Sequence, residues 1–490
     1  MSLYQAFTEN SPRLTPRPVS WVSRMMSVGA LVLMASLVAQ AFVRQGFAAW
    51  SVGIAYILYD TTLLAFTAWK IRLLGQTAAP ASTIAAGQPC HSISRPSTSR
   101  PSLCVIVAAH NEAAVLGITI NTLASQQDPP DMILLADDGS SDDSARTLHS
   151  LYGLNMPEWG EMSGPAPGLP SLRWLRLHHG GKARALNAAI QRVDTDLVLT
   201  VDADTLLAPG ALAAMRDAFE AEPALVAATG VLAPICGENM LARGFQWFQG
   251  YEYVRNFLSR YAWMKLDSLL LISGAFAAFR RDAVVKVGGF DPESMVEDYE
   301  LIHRMYRHAR DHGLDWKVRV VGGALASTDA PASPMAFLRQ RRRWFGGFLQ
   351  TQHWNRDMVG NARYGHLGTA MLPVKVLDTL QPIYGLIAFA ILIAFVATGR
   401  YMIALPILIV MVAKIIVDLS FHLWSLHIYK RWTGQQDGLA LGPAILASIA
   451  EPFCFQLLRH AGAVWGWVAF LTGRENWGRQ KRTAINLIAQ

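Results

Sequence analysis

The chain has 490 residues, of which 52% are hydrophobic and only 16% are charged. This length allows two or three domains, and so low a charge content is more typical of membrane proteins than of soluble ones. The net charge of +7 would suit nucleic acid, but the basic residues lie beside long apolar runs. They therefore indicate membrane topology, and no nucleic-acid partner is expected. The cysteines lie far apart, so neither a disulfide nor a zinc site is assigned to Cys90, Cys104, Cys236 and Cys454.

Two apolar runs, 25–43 and 48–69, open the chain, and each approaches the roughly 20 residues that a helix needs to cross a bilayer. Basic residues precede the first run and follow the second, so both ends of this hairpin are expected in the cytoplasm. The pattern predicts a cytoplasmic tail over 1–24 and a transmembrane hairpin over 25–72. The alternative is a cleaved signal peptide, because the "AQA" of 39–41 could form a cleavage site.

A soluble region follows the hairpin. Residues 73–101 are rich in Ala, Ser, Pro and Gly without an apolar period, which predicts a linker. Over 102–332, short β-rich runs alternate with helical stretches, a pattern typical of a parallel sheet with crossover helices. Residues 333–366 are expected to form helices at the membrane interface.

Apolar sequence returns over 367–472, where the runs 376–398 and 402–424 are each long enough to span a membrane. Prolines and charges interrupt 438–472, which could be one kinked span, a hairpin, or an interfacial helix followed by a span. The basic tail over 473–490 favours the cytoplasm and hence an even number of crossings.

Polar residues end several of the predicted strands. "VIVAAHNE" ends at Glu112, "LLADD" at Asp138, and "TVDAD" carries Asp202 and Asp204. The carboxyl ends of parallel strands meet at one edge of a sheet, which is the usual ligand crevice. Alternate residues of an extended segment point the same way, so the "DAD" pair could hold a hard divalent cation and a sugar hydroxyl. Two glycines and Lys182 open the next predicted helix, where backbone amides favour an anion.

The run "QRRRW" precedes the C-terminal apolar region. With spacings i, i+3 and i+4, Gln340, Arg343 and Trp344 share one face of a predicted helix. The planar fork of Arg343 can pair with a diphosphate, and Trp344 can present a flat surface to a sugar ring. Arg341 and Arg342 point elsewhere and are expected near anionic lipid headgroups.

The order HNE, DDGSSD, GGKARALN, DAD, SGAFAAFRR, ED and QRRRW resembles that of the membrane-embedded, processive glycosyltransferases of family 2. This branch includes chitin, hyaluronan, cellulose and poly-N-acetylglucosamine synthases. The resemblance covers residues 102–347. It implies an α/β GT-A-type nucleotide-sugar-binding domain inserted between N-terminal and C-terminal transmembrane helices.

The resemblance also implies a role for each matched residue. Glu112 and Asp138 would contact the base and ribose of a UDP-sugar, and Lys182 would lie by the nucleotide or its phosphates. Asp202 would hold the sugar nucleotide, and Asp204 would hold Mg²⁺ or Mn²⁺, which stabilises the departing diphosphate. The expected donor-binding residues are Glu112, Asp138, Lys182, Asp202, Asp204, Gln340 and Arg343.

The segment "VEDYEL" matches the part of the family that carries the catalytic base. Asp298 is assigned as this base, with Glu297 as the alternative, because spacing does not rank neighbouring carboxylates. The base would take a proton from an acceptor hydroxyl, which then attacks the anomeric carbon with inversion. Ser273, Gly274 and Trp344 are the expected acceptor-binding residues.

These roles imply a processive, inverting β-glycosyltransferase of the bacterial inner membrane, with a cytoplasmic catalytic domain. The growing polysaccharide would cross the membrane past ionisable residues such as Asp60, Lys414 and Asp418, although the last two could instead form a self-contained pair. The alternative is a non-processive enzyme that passes one sugar to a lipid-linked or short acceptor. A third reading is a non-catalytic carbohydrate-binding or transport protein, but both Asp204 and Asp298 are present. Membrane lipids are expected partners in each case.

Overall fold

The computed structural model of the chain describes residues 2–44, 46–74, 100–435 and 441–473. Most of the predicted linker and nearly all of the basic tail lie outside these ranges. The chain begins with three helices, which are α1 (Leu3–Asn10), α2 (Trp21–Val43) and α3 (Ser51–Ile71). Helix α2 begins after Ser20, whose hydroxyl accepts a 3.2 Å hydrogen bond from the Ser23 amide and so caps the helix.

An eight-stranded sheet forms the centre of the following α/β domain, with the order β3-β2-β1-β4-β7-β6-β8-β5. The strands are β1 (Leu103–Ala109), β2 (Met132–Asp138), β3 (Leu172–Leu177), β4 (Leu197–Asp202), β5 (Thr205–Leu207), β6 (Leu225–Ile235), β7 (Phe276–Arg280) and β8 (Lys317–Asp329). Strand β1 lies between β2 and β4 and is buried along almost its whole length, as expected for a strand covered on both faces.

The first half of the sheet is parallel, as the alternating pattern predicts: β3, β2, β1 and β4 run in one direction. The second half is mixed, because β7 runs antiparallel to both β4 and β6, and β5 runs antiparallel to β8. A purely parallel sheet is therefore wrong for β5–β8. The carboxyl ends of β1, β2 and β4 do lie at one edge of the sheet, which positions the polar residues that follow them.

Seven helices accompany the sheet. They are α4 (Ala113–Ala124), α5 (Ser144–Tyr152), α6 (Lys182–Arg192), α7 (Ala211–Ala221), α8 (Met240–Met264), α9 (Arg281–Lys286) and α10 (Glu297–Asp311). Helices α4 and α6 begin just after the polar ends of β1 and the β3–α6 loop, so their amino ends face the same edge of the sheet.

The C-terminal part contains α11 (Pro334–Trp354), α12 (Leu372–Ala397), α13 (Tyr401–Thr433), α14 (Leu441–Ala450) and α15 (Phe455–Leu471). A single 3₁₀ turn at Glu451–Phe453 separates α14 from α15, so the interrupted region folds as two helices. Helix α15 packs closely along α11, since a Cβ atom on Gly466 would lie only 2.9 Å from the amide nitrogen of Gly346. A larger residue at Gly466 would separate the two helices.

Four helical segments within the described ranges are long and apolar enough to cross a membrane: Trp21–Val43, Gly46–Ile71, Leu367–Ala397 and Tyr401–Thr433. Two precede the α/β domain in sequence and two follow it, which confirms the predicted order. Helix α13 continues about a further nine residues beyond the predicted run, to Thr433. Its last turns contact the α/β domain, because a Cβ atom on Gly322 would lie 2.3 Å from Nε1 of Trp432.

Candidate active site

One cavity of about 2350 Å³ extends from the carboxyl ends of β1, β2 and β4 to the apolar helices. Its wall contains every site residue expected from the sequence, although these residues come from positions far apart in the chain. They are Glu112, Asp138, Lys182, Asp202, Asp204, Ser273, Gly274, Glu297, Asp298, Gln340, Arg343 and Trp344. The structure therefore brings the predicted residues together, and their individual roles stay predictions.

Asp138 ends β2 and is buried. Its Oδ1 accepts a 2.7 Å hydrogen bond from the amide of Gly180, and its Oδ2 accepts one of 2.9 Å from Gly181. Gly181 has φ +93°, a left-handed conformation that side chains disfavour, and it directly precedes α6. Asp138 thus holds the loop that presents the amino end of α6 to the cavity.

Two histidines beside Asp138 were not expected from the sequence. The rings of His110 and His179 stack with centroids 4.3 Å apart, and their Nδ1 atoms lie 2.8 and 3.1 Å from the Asp138 carbonyl oxygen. A carbonyl oxygen only accepts hydrogen bonds, so Nδ1 of each ring is the donor in these contacts. One atom from each of the three side chains lies within 4.8 Å of the others. The signal available in the sequence was a histidine next to each of two polar strand ends.

Lys182 is a partly buried cation between two acidic segments. Its Nζ lies 2.6 Å from Oδ1 of Asp202 and 3.3 Å from Oε1 of Glu297. Burial alone would lower the pKa of Lys182, but the charges of Asp202 and Glu297 outweigh it and raise the pKa above its usual value. Lys182 therefore stays protonated and joins the "DAD" segment to the start of α10.

The backbone that carries the two "DAD" carboxylates differs from the extended segment predicted from the sequence. Asp202 ends β4, but Ala203 and Asp204 form a turn before β5 begins at Thr205. The extended alternation assumed from the sequence is therefore wrong at Asp204. Both side chains nevertheless line the cavity, and their oxygen atoms are the ligands that Mg²⁺ and Mn²⁺ prefer. The imidazoles of His110 and His179 would suit softer metals better.

Asp298 is the second residue of α10 and accepts two backbone hydrogen bonds. Oδ2 accepts one of 2.6 Å from the amide of Gly274, and Oδ1 accepts one of 2.8 Å from the amide of Tyr299. Burial, followed by the charge of Glu297, raises the pKa of Asp298 to about 6 despite these bonds and nearby Lys182. A pKa close to neutral suits a group that takes and releases protons.

Glu297 differs from its neighbour because its carboxylate is paired with Lys182 at 3.3 Å. The ion pair directs the Glu297 carboxylate towards Lys182, whereas Asp298 is held by the amides of Gly274 and Tyr299. The geometry therefore favours Asp298 over Glu297, a choice that sequence spacing left open. Gly274, expected only to leave room for a sugar, also donates a hydrogen bond to the predicted base.

The "QRRRW" face lies where the helical spacing predicts it. Gln340 is buried, Arg343 and Trp344 are partly buried, and all three line the cavity. The expected lipid contact of Arg341 is wrong. Its guanidinium is buried, lies 2.7 Å from Oε2 of Glu252, and stands 4.4 Å from the centre of the Trp344 ring. Helix α8 supplies Glu252 and covers this face of α11, which helical periodicity alone does not reveal.

Charged groups continue into the apolar helices. Asp60 of α3 lies 2.5 Å from Arg255 of α8 and 2.7 Å from Lys414 of α13, and Lys414 also contacts Asp418. The Lys414–Asp418 pair is therefore present but not self-contained. Asp60 and Arg255 line the cavity, so this network connects the apolar helices with the α/β domain at the far end of the site.

Comparison with known proteins agrees with this architecture. A family model described as Glycosyl transferase family 2 matches residues 104–288, and one described as Glycosyl transferase family group 2 matches residues 197–417. Poly-beta-1,6-N-acetyl-D-glucosamine synthases of Staphylococcus epidermidis and Staphylococcus aureus (strain COL) are each 25% identical, over 248 and 247 residues respectively. These matches cover 49% of this chain and 53% of each relative, so the chain spans about half the length of the curated relatives it matches.

Among solved structures, the chain is similar to the mannosyltransferase PcManGT from Pyrobaculum calidifontis, solved in complex with GDP-Man and Mn²⁺. The TM-score is 0.51 at 18% sequence identity, over 83% of this chain and 99% of that chain. This similarity concerns the fold, a GT-A-like arrangement with a mixed sheet. The two family models show that the chain contains glycosyltransferase family 2 domain sequence over the residues that they match.

Proposed function

We propose that the chain is a membrane-embedded, inverting β-glycosyltransferase that polymerises a sugar from a UDP-sugar donor and passes the polysaccharide into the membrane. The observation that carries this proposal is one cavity that contains Asp204, Asp298 and Trp344 and extends to Asp60. The poly-N-acetylglucosamine synthases, matched over about half their length, support the processive form of the reaction.

The donor would bind between the carboxyl ends of β1 and β2 and the amino end of α6. Glu112 and Asp138 would meet the base and ribose, and Asp138 would also keep the glycine loop before α6 in place. Amide groups at the start of a helix favour anions, so the diphosphate would lie near Lys182. Gln340 and Arg343 of α11 would bind the diphosphate from the opposite side of the cavity.

Asp204 would hold Mg²⁺ or Mn²⁺, and Asp202 would hold the sugar nucleotide beside it. Their carboxylate oxygens, one partly exposed and one buried in the cavity wall, fit such an ion better than the nearby imidazoles do. The ion would supply positive charge that stabilises the departing diphosphate. Lys182, held 2.6 Å from Asp202, would add a second positive charge at the same place.

Asp298 would act as the general base. It would take the proton from an acceptor hydroxyl, whose oxygen forms a bond to the anomeric carbon as the bond to the nucleoside diphosphate breaks. Attack from the face opposite the leaving group inverts an α-linked donor to a β-linked product. The 2.6 Å bond from Gly274 would fix the orientation of Oδ2 during this transfer.

The acceptor end would lie against Ser273, Gly274 and Trp344. Beyond it, the cavity continues to Asp60 and Arg255, which supports passage of a polar chain between the apolar helices. A lipid-linked acceptor could enter the same space, so non-processive transfer of one sugar is the alternative. The product distinguishes the two reactions, because a processive enzyme makes a polymer and a non-processive enzyme adds one sugar.

The proposed topology places the α/β domain of 102–332 in the cytoplasm of a bacterial cell, where nucleotide sugars are made. The tail of 1–24 would share this compartment, and the hairpin of 25–72 and the helices of 367–472 would hold the domain at the inner membrane. Residues 333–366 would lie at the interface, and 73–101 and 473–490 would be the linker and the basic tail. Membrane lipids would surround the four apolar helices.

The test uses the purified full chain in lipid nanodiscs with Mn²⁺ and radiolabelled UDP-N-acetylglucosamine, UDP-glucose or GDP-mannose. Polymer that grows with time supports the proposal, and a single-sugar adduct on lipid supports the alternative. Absence of turnover with every donor, in Mg²⁺ as in Mn²⁺, would contradict both. The Asp298→Asn variant, purified in parallel, controls for contaminating transferases.

A further inference from the structure

The residues that precede the first apolar helix pack against the α/β domain. We call residues 2–20 the N-terminal strap. Its helix α1 lies against α9 and α10, and Ala6 and Phe7 are buried there. The contact is close, because a Cβ atom on Gly288 would lie only 2.1 Å from the amide nitrogen of Phe7. The strap is therefore a packed part of this domain.

An ion pair ties the strap to the loop that leads into α10. Nε of Arg13 donates to Oδ2 of Asp291 at 3.1 Å, and Nη2 donates to Oδ1 at 3.0 Å. Asp291 is 0% exposed and lies seven residues before Asp298. Its Oδ1 also accepts from the Glu293 amide at 3.0 Å, so the same carboxylate shapes the loop. Removal of Arg13 would leave the buried carboxylate of Asp291 without the cation that the strap supplies.

A second contact of the strap reaches α10 directly. The ring of Phe7 lies 5.0 Å from the guanidinium of Arg304, which is itself fully buried. Arg304 pairs with Glu300 in α10 and donates 2.7 Å hydrogen bonds to the carbonyls of Val287 and Gly289. Phe7 thus covers a buried ion pair in the same helix as Asp298.

The strap also holds the far end of α10. Arg17 forms an ion pair with Asp311, the last residue of that helix, and Oδ1 of Asn10 lies 2.8 Å from Nδ1 of His308. Beyond the strap, the hydroxyl of Ser23 in α2 donates a 2.5 Å hydrogen bond to the carbonyl of Arg356. The strap therefore contacts the loop before α10, the middle of α10 and its last turn, and it continues into the first apolar helix.

We propose that the strap positions α10 so that Asp298 meets Gly274, and that Arg13 is a positioning residue for the transfer reaction. The proposal rests on the proposed function, because it concerns the placement of the predicted base. Arg13 touches no predicted substrate residue and acts through Asp291. Removing it frees the loop of 291–296, shifts the start of α10, and leaves the donor-binding edge of β1, β2 and β4 in place.

The experiment compares Arg13→Ala and Arg13→Lys with Arg24→Ala in the full chain in nanodiscs. Arg24 is exposed in the first turn of α2, so its removal lowers the positive charge near the start of that helix by the same amount. We expect Arg13→Ala to lower kcat at least tenfold, with the KM for donor and the affinity for UDP within twofold of wild type. Arg13→Lys keeps the charge but loses the two-pronged contact, so its kcat should be intermediate. Arg24→Ala should match wild type.

Hydrogen–deuterium exchange supplies a readout that does not depend on turnover. Exchange of the amides of 291–300 should increase in Arg13→Ala and stay unchanged in Arg24→Ala. Equal kcat and exchange in these two variants would overturn the strap proposal. So would parallel loss of UDP affinity and kcat in both Arg13 variants, since this would indicate general unfolding. Failure of the wild type to transfer any sugar would instead contradict the proposed function, and the exchange comparison would still decide the role of Arg13.

Discussion

The amide of Gly274 donates a 2.6 Å hydrogen bond to Oδ2 of Asp298, and this contact joins the strand-leading loop before β7 to the first turn of α10. A Cβ atom at Gly274 would lie 3.0 Å from the same oxygen. The bond therefore depends on a residue without a side chain. It also favours the ionised form of a carboxyl whose burial raises its pKa.

Replacing Asp298 by Asn should abolish transfer and keep nucleotide binding. General-base catalysis typically contributes about 10²–10⁴-fold, and we expect a loss of this order in kcat. The amide is nearly the same size, so UDP affinity measured by calorimetry should change little. Glu297→Gln is the matched comparison. If that variant lost turnover while Asp298→Asn kept it, the two neighbours would exchange roles.

The rate should depend on the ionisation of Asp298. A general base acts in its deprotonated form, so kcat should rise with pH through about 6 and then level off, following the raised pKa. The negative charge of Glu297 contributes to that raised pKa. Glu297→Gln should therefore shift the acid limb of the kcat–pH profile to lower pH. An unchanged acid limb in this variant would show that the charge of Glu297 does not raise the pKa of Asp298.

Gly274→Ala should impair turnover more than donor binding. The added methyl group would press on Oδ2 of Asp298, and a misplacement of about 1 Å can cost about 10²-fold in rate. Gly164→Ala is the control, because a Cβ atom there meets nothing within 4 Å. Steady-state kinetics of both variants would test this, and equal kcat in the two would argue against a positioning role for the Gly274 amide.

Removal of Asp60 should destabilise the assembly of membrane helices. Asp60→Asn would leave Arg255 and Lys414 without their shared carboxylate, and breaking a buried ion pair typically costs about 3–5 kcal/mol. Thermal unfolding in detergent should show a lower Tm, and the polymer should become shorter. Asp418→Asn, which leaves Asp60 paired, should have a smaller effect. Unchanged Tm, yield and product length in Asp60→Asn would exclude a role for this residue.

Activity should require a divalent ion held by the carboxylates. A chelator should stop turnover, and Mn²⁺ or Mg²⁺ should restore it. Asp204→Asn should raise the Mn²⁺ concentration needed for half-maximal rate by about tenfold or more, as expected for loss of a charged ligand. His179→Asn should leave that concentration unchanged. The opposite result would move the ion to the cluster of His110, Asp138 and His179.

Much of the architecture was accessible from the sequence because its signals are local. Apolar runs predict the membrane helices, and alternating strands and helices predict the parallel half of the sheet. The i, i+3, i+4 spacing placed Gln340, Arg343 and Trp344 on one face. The antiparallel β7 was not accessible, because strand direction depends on how the chain returns to the sheet after α8.

Contacts between distant segments escaped the sequence analysis. Arg341 looked like a surface residue, since nothing near it in sequence indicates that Glu252, 89 positions earlier, meets it in the interior. The stacking of His110 with His179 and the pairing of Arg13 with Asp291 depend in the same way on tertiary packing. The proposed preference for Asp298 over Glu297 rests on the position of Lys182, which only the folded chain supplies.

The guanidinium of Arg341 lies over the Trp344 ring, 4.4 Å from its centre, and covers one of its two faces. In the proposed acceptor site, a hexose would therefore stack on the other face only, and the indole would support a single sugar ring at any moment. Such a one-sided surface would position the growing polysaccharide one sugar at a time. Each movement of the polysaccharide by one sugar would then take place on the side of the Trp344 ring that faces the cavity.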